Sequence, residues 1–177
     1  FNMYTAYTVI VLLSTVTIPS SSGQPFKVVG PITDHFDAWL KSNGYGDDQF
    51  ARLDYGTQGS YGGKTSDDQK LIKDPIVFIH GNSDAALRQN GTNALSGWEY
   101  SIDYFTQMGY TSAELYATSW GDTDPMNSPS RTHSCSTTQR LRRFLQAVQS
   151  YTGAAKVNII AHSMGVTLGR KIIKGER

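Results

Sequence analysis

The amino-acid sequence predicts an α/β fold, a mostly parallel sheet with helices on both faces. Three observations predict it. Short apolar runs recur at residues 76–79, 114–118 and 157–160. Each is bounded by turn residues and is too short to be a helix, as expected of strands buried on both faces. Each is succeeded by a segment that reads as a helix, so the chain alternates strand and helix. The length of 177 residues suits one domain. With 16 Lys+Arg against 15 Asp+Glu, the net charge of +1 gives no support for a nucleic-acid binder. A single cysteine, Cys135, excludes a disulfide framework and implies a free thiol or a partner elsewhere.

At the N-terminus, residues 6–18 read AYTVIVLLSTVTI, followed by Pro19, three serines and Gly23. The run is shorter than the roughly 20 apolar residues that span a bilayer, so no stable transmembrane span is expected. Its length and the small residues after it fit a secretory signal peptide over residues 1–23. The alternative is a buried strand, because the run is rich in Val, Ile and Thr. Asn90-Gly91-Thr92 is an N-glycosylation acceptor, in keeping with a secreted, extracellular protein.

Residues 24–73 are expected to form an extension that packs on the core. Asp34 is a possible cap for a short helix through Phe36, Trp39 and Leu40, stopped at Asn43-Gly44. The Gly-, Tyr- and Asp-rich stretch to Gly63 reads as ordered loop, because Phe50, Tyr55 and Tyr61 require packing partners. Asp74-Pro75 then opens the first strand and His80-Gly81 closes it. Residues 85–107 read as a helix interrupted by Asn90-Gly91 and ended by Gly109, with Ser83 and Asp84 as its start. The second strand leads into a polar loop containing Gly121 and Pro125. Residues 137–153 carry Leu141, Phe144, Leu145 and Val148 at helical spacing, with the arginines on a solvated face and Gly153 past the end. The third strand precedes a last helix over residues 166–173.

The chemistry is concentrated where the third strand meets that last helix. Ala161-His162-Ser163-Met164-Gly165 has the form of a nucleophile elbow, in which a serine sits on a sharp strand-to-helix turn. Small residues are wanted on either side because the turn is tight; Gly165 supplies one, and Ala161 replaces the usual first glycine with a single methyl. The helix after the turn directs its N-terminal dipole and free N–H groups at the serine. His80-Gly81 ends an earlier strand, where a hydrolase places its first oxyanion donor. The two donors would be the backbone N–H groups of Asn82 and Met164, with His80 and Gly81 shaping the turn. His162 is expected to pack against a neighbouring strand, and neither His133 nor His35 has a warrant as a base.

The stretches DPIVFIHGNSD, GYTSAELYATSWGD and QRLRRFLQAVQSYTGAAKVNIIAHSMGVTLGRKII, with the Gly/Tyr-rich run NGYGDDQFARLDYGTQGSYGG, resemble a secreted class 2 lipase. That resemblance implies an α/β-hydrolase fold and hydrolysis of acylglycerols or related lipid esters through an acyl-serine intermediate. Ser163 would be the nucleophile, and lipid ester at a transient lipid–water interface the substrate. The alternative is a non-catalytic lipid- or partner-binding protein of the same fold. In this fold the acid and histidine of the triad come after the serine in the chain, whereas residues 164–177 hold no histidine and one acid, Glu176. Residues 74–177 are therefore expected to be the first half of a hydrolase domain, a fragment incomplete at its C-terminus. No metal-ligand spacing, dinucleotide turn or P-loop occurs, so no cofactor is expected.

Overall fold

The computed structural model describes residues 6–11, 28–88 and 96–175. Its strands are β1 (Ala6–Val11), β2 (Ser60–Tyr61), β3 (Ile76–Ile79), β4 (Leu115–Thr118) and β5 (Lys156–Ala161). Its α-helices are α1 (Asp34–Ser42), α2 (Glu99–Gln107), α3 (Cys135–Thr152) and α4 (Met164–Lys174). The strands form one sheet in the order β1-β5-β3-β4-β2, parallel throughout except for the pairing of β2 with β4. This is the α/β architecture expected.

Side-chain alternation explains why the strand sequences are mostly apolar on both faces, with Lys156 and Asn158 of β5 the less buried exceptions. Val77 and Ile79 of β3, Tyr116 of β4, and Val157, Ile159 and Ala161 of β5 enter one core with Phe36 of α1, Leu141, Phe144, Leu145 and Val148 of α3, and Leu168 and Ile172 of α4. Ile76, Phe78, Leu115, Ala117 and Ile160 point the other way, into a second core with Trp98, the residue before α2, and Ile102 of α2. A strand with helices on both faces has no solvated side, so every position favours an apolar residue.

The N-terminal extension is built into the first core. Phe36 lies 4.4 Å from Tyr151 between ring centroids, and Phe50 lies 5.0 Å from Phe144. Helix α1 is capped by Thr33, whose Oγ1 accepts the Phe36 N–H at 3.2 Å, and not by Asp34, which is its first residue. Helix α3 begins with Ser134 accepting the Thr137 N–H and ends at Gly153, left-handed at φ 66°. Its arginines are not all solvated. Arg140 donates to the carbonyls of Asp48, Gln49 and Ser119 at 2.9–3.1 Å, tying the 3₁₀ turn Gly46–Asp48 and the end of β4 to the helix.

Two segments depart further from expectation. Among the described residues, the helix expected from residue 85 is present only as α2. Leu87 instead forms a bridge with Gly97, Leu87 N–H reaches Gln58 O at 3.1 Å, and Trp98 N–H reaches Ala86 O at 2.9 Å. These long-range backbone bonds outcompete a local helix, and Ser83 and Asp84 start none. Asp84 Oδ1 accepts from Ala85 N and Gly97 N, closing this loop at its neck. At the N-terminus, the backbone of β1 runs parallel to β5, from Ala6 opposite Lys156 to Val11 opposite Ala161. Pairing along an otherwise open strand edge and serving as a secretory leader draw on the same apolar, β-branched residues. The remainder of residues 1–23, expected to be a signal peptide, and Asn90, expected to be a glycosylation acceptor, lie outside the described residues.

Candidate functional site

Strands β3 and β5 are hydrogen-bonded neighbours with Ile79 opposite Ala161, so both chains leave the sheet at the same level. The turn that ends one strand meets the turn that ends the other. Ser163, the residue before α4, has φ 52° and ψ −126°. That conformation is costly for a residue with a Cβ, of order 1–3 kcal/mol, and persists only where its surroundings impose it. The surroundings are visible. His162 N–H bonds Ile79 O at 3.1 Å, and Gly165 N–H bonds His162 O at 2.9 Å. A Cβ at Gly165 would fall 2.4 Å from Ile79 O and 2.5 Å from His80 O, so only glycine lets the helix start this close to β3.

The turn after β3 lies against the serine. A Cβ at Gly81 would stand 3.0 Å from Ser163 Cβ and 3.5 Å from its Oγ. Ser163 is exposed. Met164 is the first residue of α4, where backbone N–H groups have no intrahelical acceptor. Asn82 comes directly after Gly81, and its side chain is fully engaged: Nδ2 donates to Ser128 O at 3.0 Å and to Ser128 Oγ at 2.8 Å, and Oδ1 accepts from Arg131.

His80 is 1 % exposed. Its Nε2 accepts the Trp120 backbone N–H at 2.9 Å, so the ring's one proton sits on Nδ1, which donates to Gly81 O at 2.7 Å. Burial pushes the imidazole from 6.5 down to about 3, against the pull of the Gly81 carbonyl, and the guanidiniums of Arg52 and Arg131 push the same way. A ring that stays neutral down to about pH 3, in one tautomer, orients the turn and is not poised to shuttle protons.

The other histidines are elsewhere or differently engaged. His162 is exposed and its Nδ1 lies beside Gly81; it is not packed against a strand, because the left-handed turn at Ser163 swings it outward. His133 Nε2 contacts Thr167 Oγ1 at 2.5 Å, one turn along α4. His35 bridges Tyr151 and Asp67 at 2.7 and 2.9 Å, on the last turn of α3 and so at the opposite end of the sheet from Ser163. Among the described residues no side chain is hydrogen-bonded to Ser163 Oγ, and residues 164–175 hold no histidine, aspartate or glutamate. Also among the described residues, no cluster of His, Cys, Asp and Glu could hold a metal ion, and no helix is long and apolar enough to cross a membrane. Cys135 is a free, exposed thiol at the start of α3.

The residues that brace the turn after β3 from outside, Trp120, Ser128 and Arg131, are not singled out by the sequence. Trp120 stands in the SWGD run after β4, a cue that something aromatic closes that strand, while no local pattern marks Arg131. Residues 73–177, more than half of the chain, match a family model described as Lipase (class 2).

Proposed function

The chain belongs to the class 2 lipase family, an α/β-hydrolase family of lipase-type hydrolases, and from that premise we propose that Ser163 is the nucleophile of a secreted serine ester hydrolase acting on acylglycerols or related lipid esters. The observation that carries this reading is the backbone at Ser163: φ 52° on a non-glycine residue, at the end of a parallel strand, with its side chain exposed. In the proposed reaction Ser163 Oγ attacks the ester carbonyl carbon and loses its proton to a base, and the carbonyl oxygen becomes an oxyanion. The N–H groups of Asn82 and Met164 donate to that oxygen. Collapse of the tetrahedral intermediate expels the alcohol, which takes up a proton, and leaves an acyl-serine; water then releases the fatty acid. A donor of this kind typically contributes about 2.7–4 kcal/mol of transition-state stabilisation.

A fluorophosphonate probe tests the assignment. Wild type is expected to be labelled and Ser163→Ala is not; equal labelling of both would remove Ser163 from the mechanism. Secretion rests on the apolar N-terminal run and the Asn90 acceptor. It is tested by fusing residues 1–30 to a reporter and assaying the medium, where retention of the reporter in the cell would count against a leader.

A second reading, a lipid- or partner-binding protein of the same fold without catalysis, is favoured by the lack of any side chain bonded to Ser163 Oγ among the described residues. Phosphatidylcholine vesicle binding by a protein that resists the probe would select it.

A further inference from the structure

We propose that Arg131 is a positioning residue for oxyanion stabilisation, clamping the Asn82 side chain so that the Asn82 backbone N–H is held toward the oxygen that gains charge when Ser163 attacks. The proposal rests on the hydrolase reading of Ser163. Its geometric basis is a set of bonds that converge on the turn. Arg131 Nη1 donates to Asn82 Oδ1 and to Ser83 Oγ, each at 2.5 Å. Its other nitrogen, Nη2, pairs with Asp122 and donates to Asp124 O at 3.0 Å. The guanidinium thus joins two consecutive residues of the turn to the loop after β4, and its side chain is only 9 % exposed.

The turn needs such a brace. Ser83 stands at φ 61°, left-handed without being glycine, and would relax if nothing opposed it. Its Oγ accepts from Arg131 and donates to Asp124 O at 3.2 Å. Asn82 is gripped at both ends of its amide, by Arg131 at Oδ1 and by Ser128 at Nδ2. A primary amide held at both ends fixes the Asn82 side-chain torsions, and with the next residue, Ser83, gripped by the same guanidinium, the backbone freedom at Asn82 is narrowed. Ser128 belongs to the 3₁₀ segment Pro125–Ser130, itself started by Asp124, whose side chain accepts the Met126 N–H at 2.9 Å. An oxyanion donor acts only if it is aimed before charge develops, and this cage of bonds supplies that aim.

The experiment compares wild type, Arg131→Met, Arg131→Lys and Ser128→Ala in the purified protein. With p-nitrophenyl butyrate, Arg131→Met is expected to lower kcat about 10- to 100-fold and to leave KM within about threefold, since the interaction is made in the transition state. Arg131→Lys, which keeps one charged donor, recovers part of the loss. Unchanged kcat in Arg131→Met, or a raised KM with kcat retained, overturns the proposal. Amide NMR supplies an arm independent of turnover: the Asn82 amide resonance is expected to shift and its hydrogen exchange to quicken in Arg131→Met. An unmoved Asn82 amide overturns the clamp whether or not esters are cleaved. Should Arg131→Met not fold, Ser128→Ala carries the same amide measurement with a smaller shift. A wild type no faster than Ser163→Ala defeats the hydrolase reading, and the amide result still judges the clamp.

Discussion

Trp120 and His80 hold each other by two hydrogen bonds of 2.9 Å, the Trp120 backbone N–H to His80 Nε2 and the Trp120 indole N–H to the His80 carbonyl. Their rings are stacked, with centroids 5.1 Å apart and planes 10° from parallel. The end of β4 is thereby fastened to the end of β3, and the fastening works only while the imidazole is neutral, because protonation would turn the Nε2 acceptor into a donor facing another donor.

That pair makes stability depend on pH. His80 is held neutral down to about pH 3, whereas in the unfolded chain it titrates near 6.5. Between those values the unfolded state binds a proton that the native state does not, so stability rises with pH across the window. The contribution is complete above about pH 7 and is lost as pH falls toward 3, on the order of 5 kcal/mol at most. Urea melts at steps from pH 7 to pH 4 are expected to show this slope in wild type and a shallower one in His80→Gln. Identical slopes would mean that His80 is not the group responsible.

Two glycines at the site are expected to fail differently. Gly165→Ala forces a Cβ against two backbone carbonyls, and overpacking against atoms that cannot rotate away costs about 1–3 kcal/mol. Gly81→Ala meets the Ser163 side chain instead, and Gly81 is not held in the left-handed region, so the fold absorbs the methyl and the serine moves. Thermal unfolding should therefore single out Gly165→Ala. Fluorophosphonate labelling should slow about 10-fold or more in Gly81→Ala, as displaced reacting groups do. A Gly81→Ala protein labelled at the wild-type rate would contradict the close approach.

Glu114 is fully buried and accepts four hydrogen bonds, from Ile72 N at 2.5 Å, Thr111 N at 2.7 Å, Lys73 N at 3.1 Å and Thr111 Oγ1 at 3.1 Å. Glu114→Gln keeps the shape and puts an amide N–H₂ where an acceptor is required. A loss of about 1–3 kcal/mol is expected, read as a lower urea midpoint with unchanged slope. A midpoint equal to wild type would show that the loop before β3 does not depend on this carboxylate.

Arg140 is the corresponding tie on the other core. Desolvation, and then the neighbouring Arg52, lower its guanidinium to about 10, and it is satisfied by three carbonyls. Arg140→Met leaves the Asp48 carbonyl without this donor, at about 1–3 kcal/mol, while Gln49 O keeps the Arg52 N–H at 3.1 Å and Ser119 O keeps Arg52 Nη1 at 2.7 Å. Limited proteolysis is expected to cut first between residues 44 and 58 in the variant, and an unchanged cleavage pattern would argue against the tie.

The strands are legible in the sequence because parallel strands between helices read as nearly continuous apolar runs, and α3 because its stripe and final Gly153 agree. Ser163, Gly165 and His80-Gly81 are legible because the elbow and the turn are local in sequence. The features that escape such a reading depend on distant partners. Ala85, Ala86 and Leu87 resemble the start of a helix until Gln58 and Gly97 claim their backbone groups. Arg131 lies 49 residues from Asn82, and nothing near either residue announces the other. The match of residues 73–177 to the class 2 lipases accounts for the elbow's context and leaves this bracing to be found in the structure.

The register of β3 against β5 also limits how the site can fail. A slip of one residue would send every β3 side chain into the opposite core, where its shape finds no matching partners. Such a slip would also displace the Asn82 turn from Ser163 by about 3.3 Å. The pairing of Ile79 with Ala161 therefore works as a ruler with coarse graduations. Core substitutions will either leave the spacing between turn and serine intact or ruin it in a single step, with no gradual drift between.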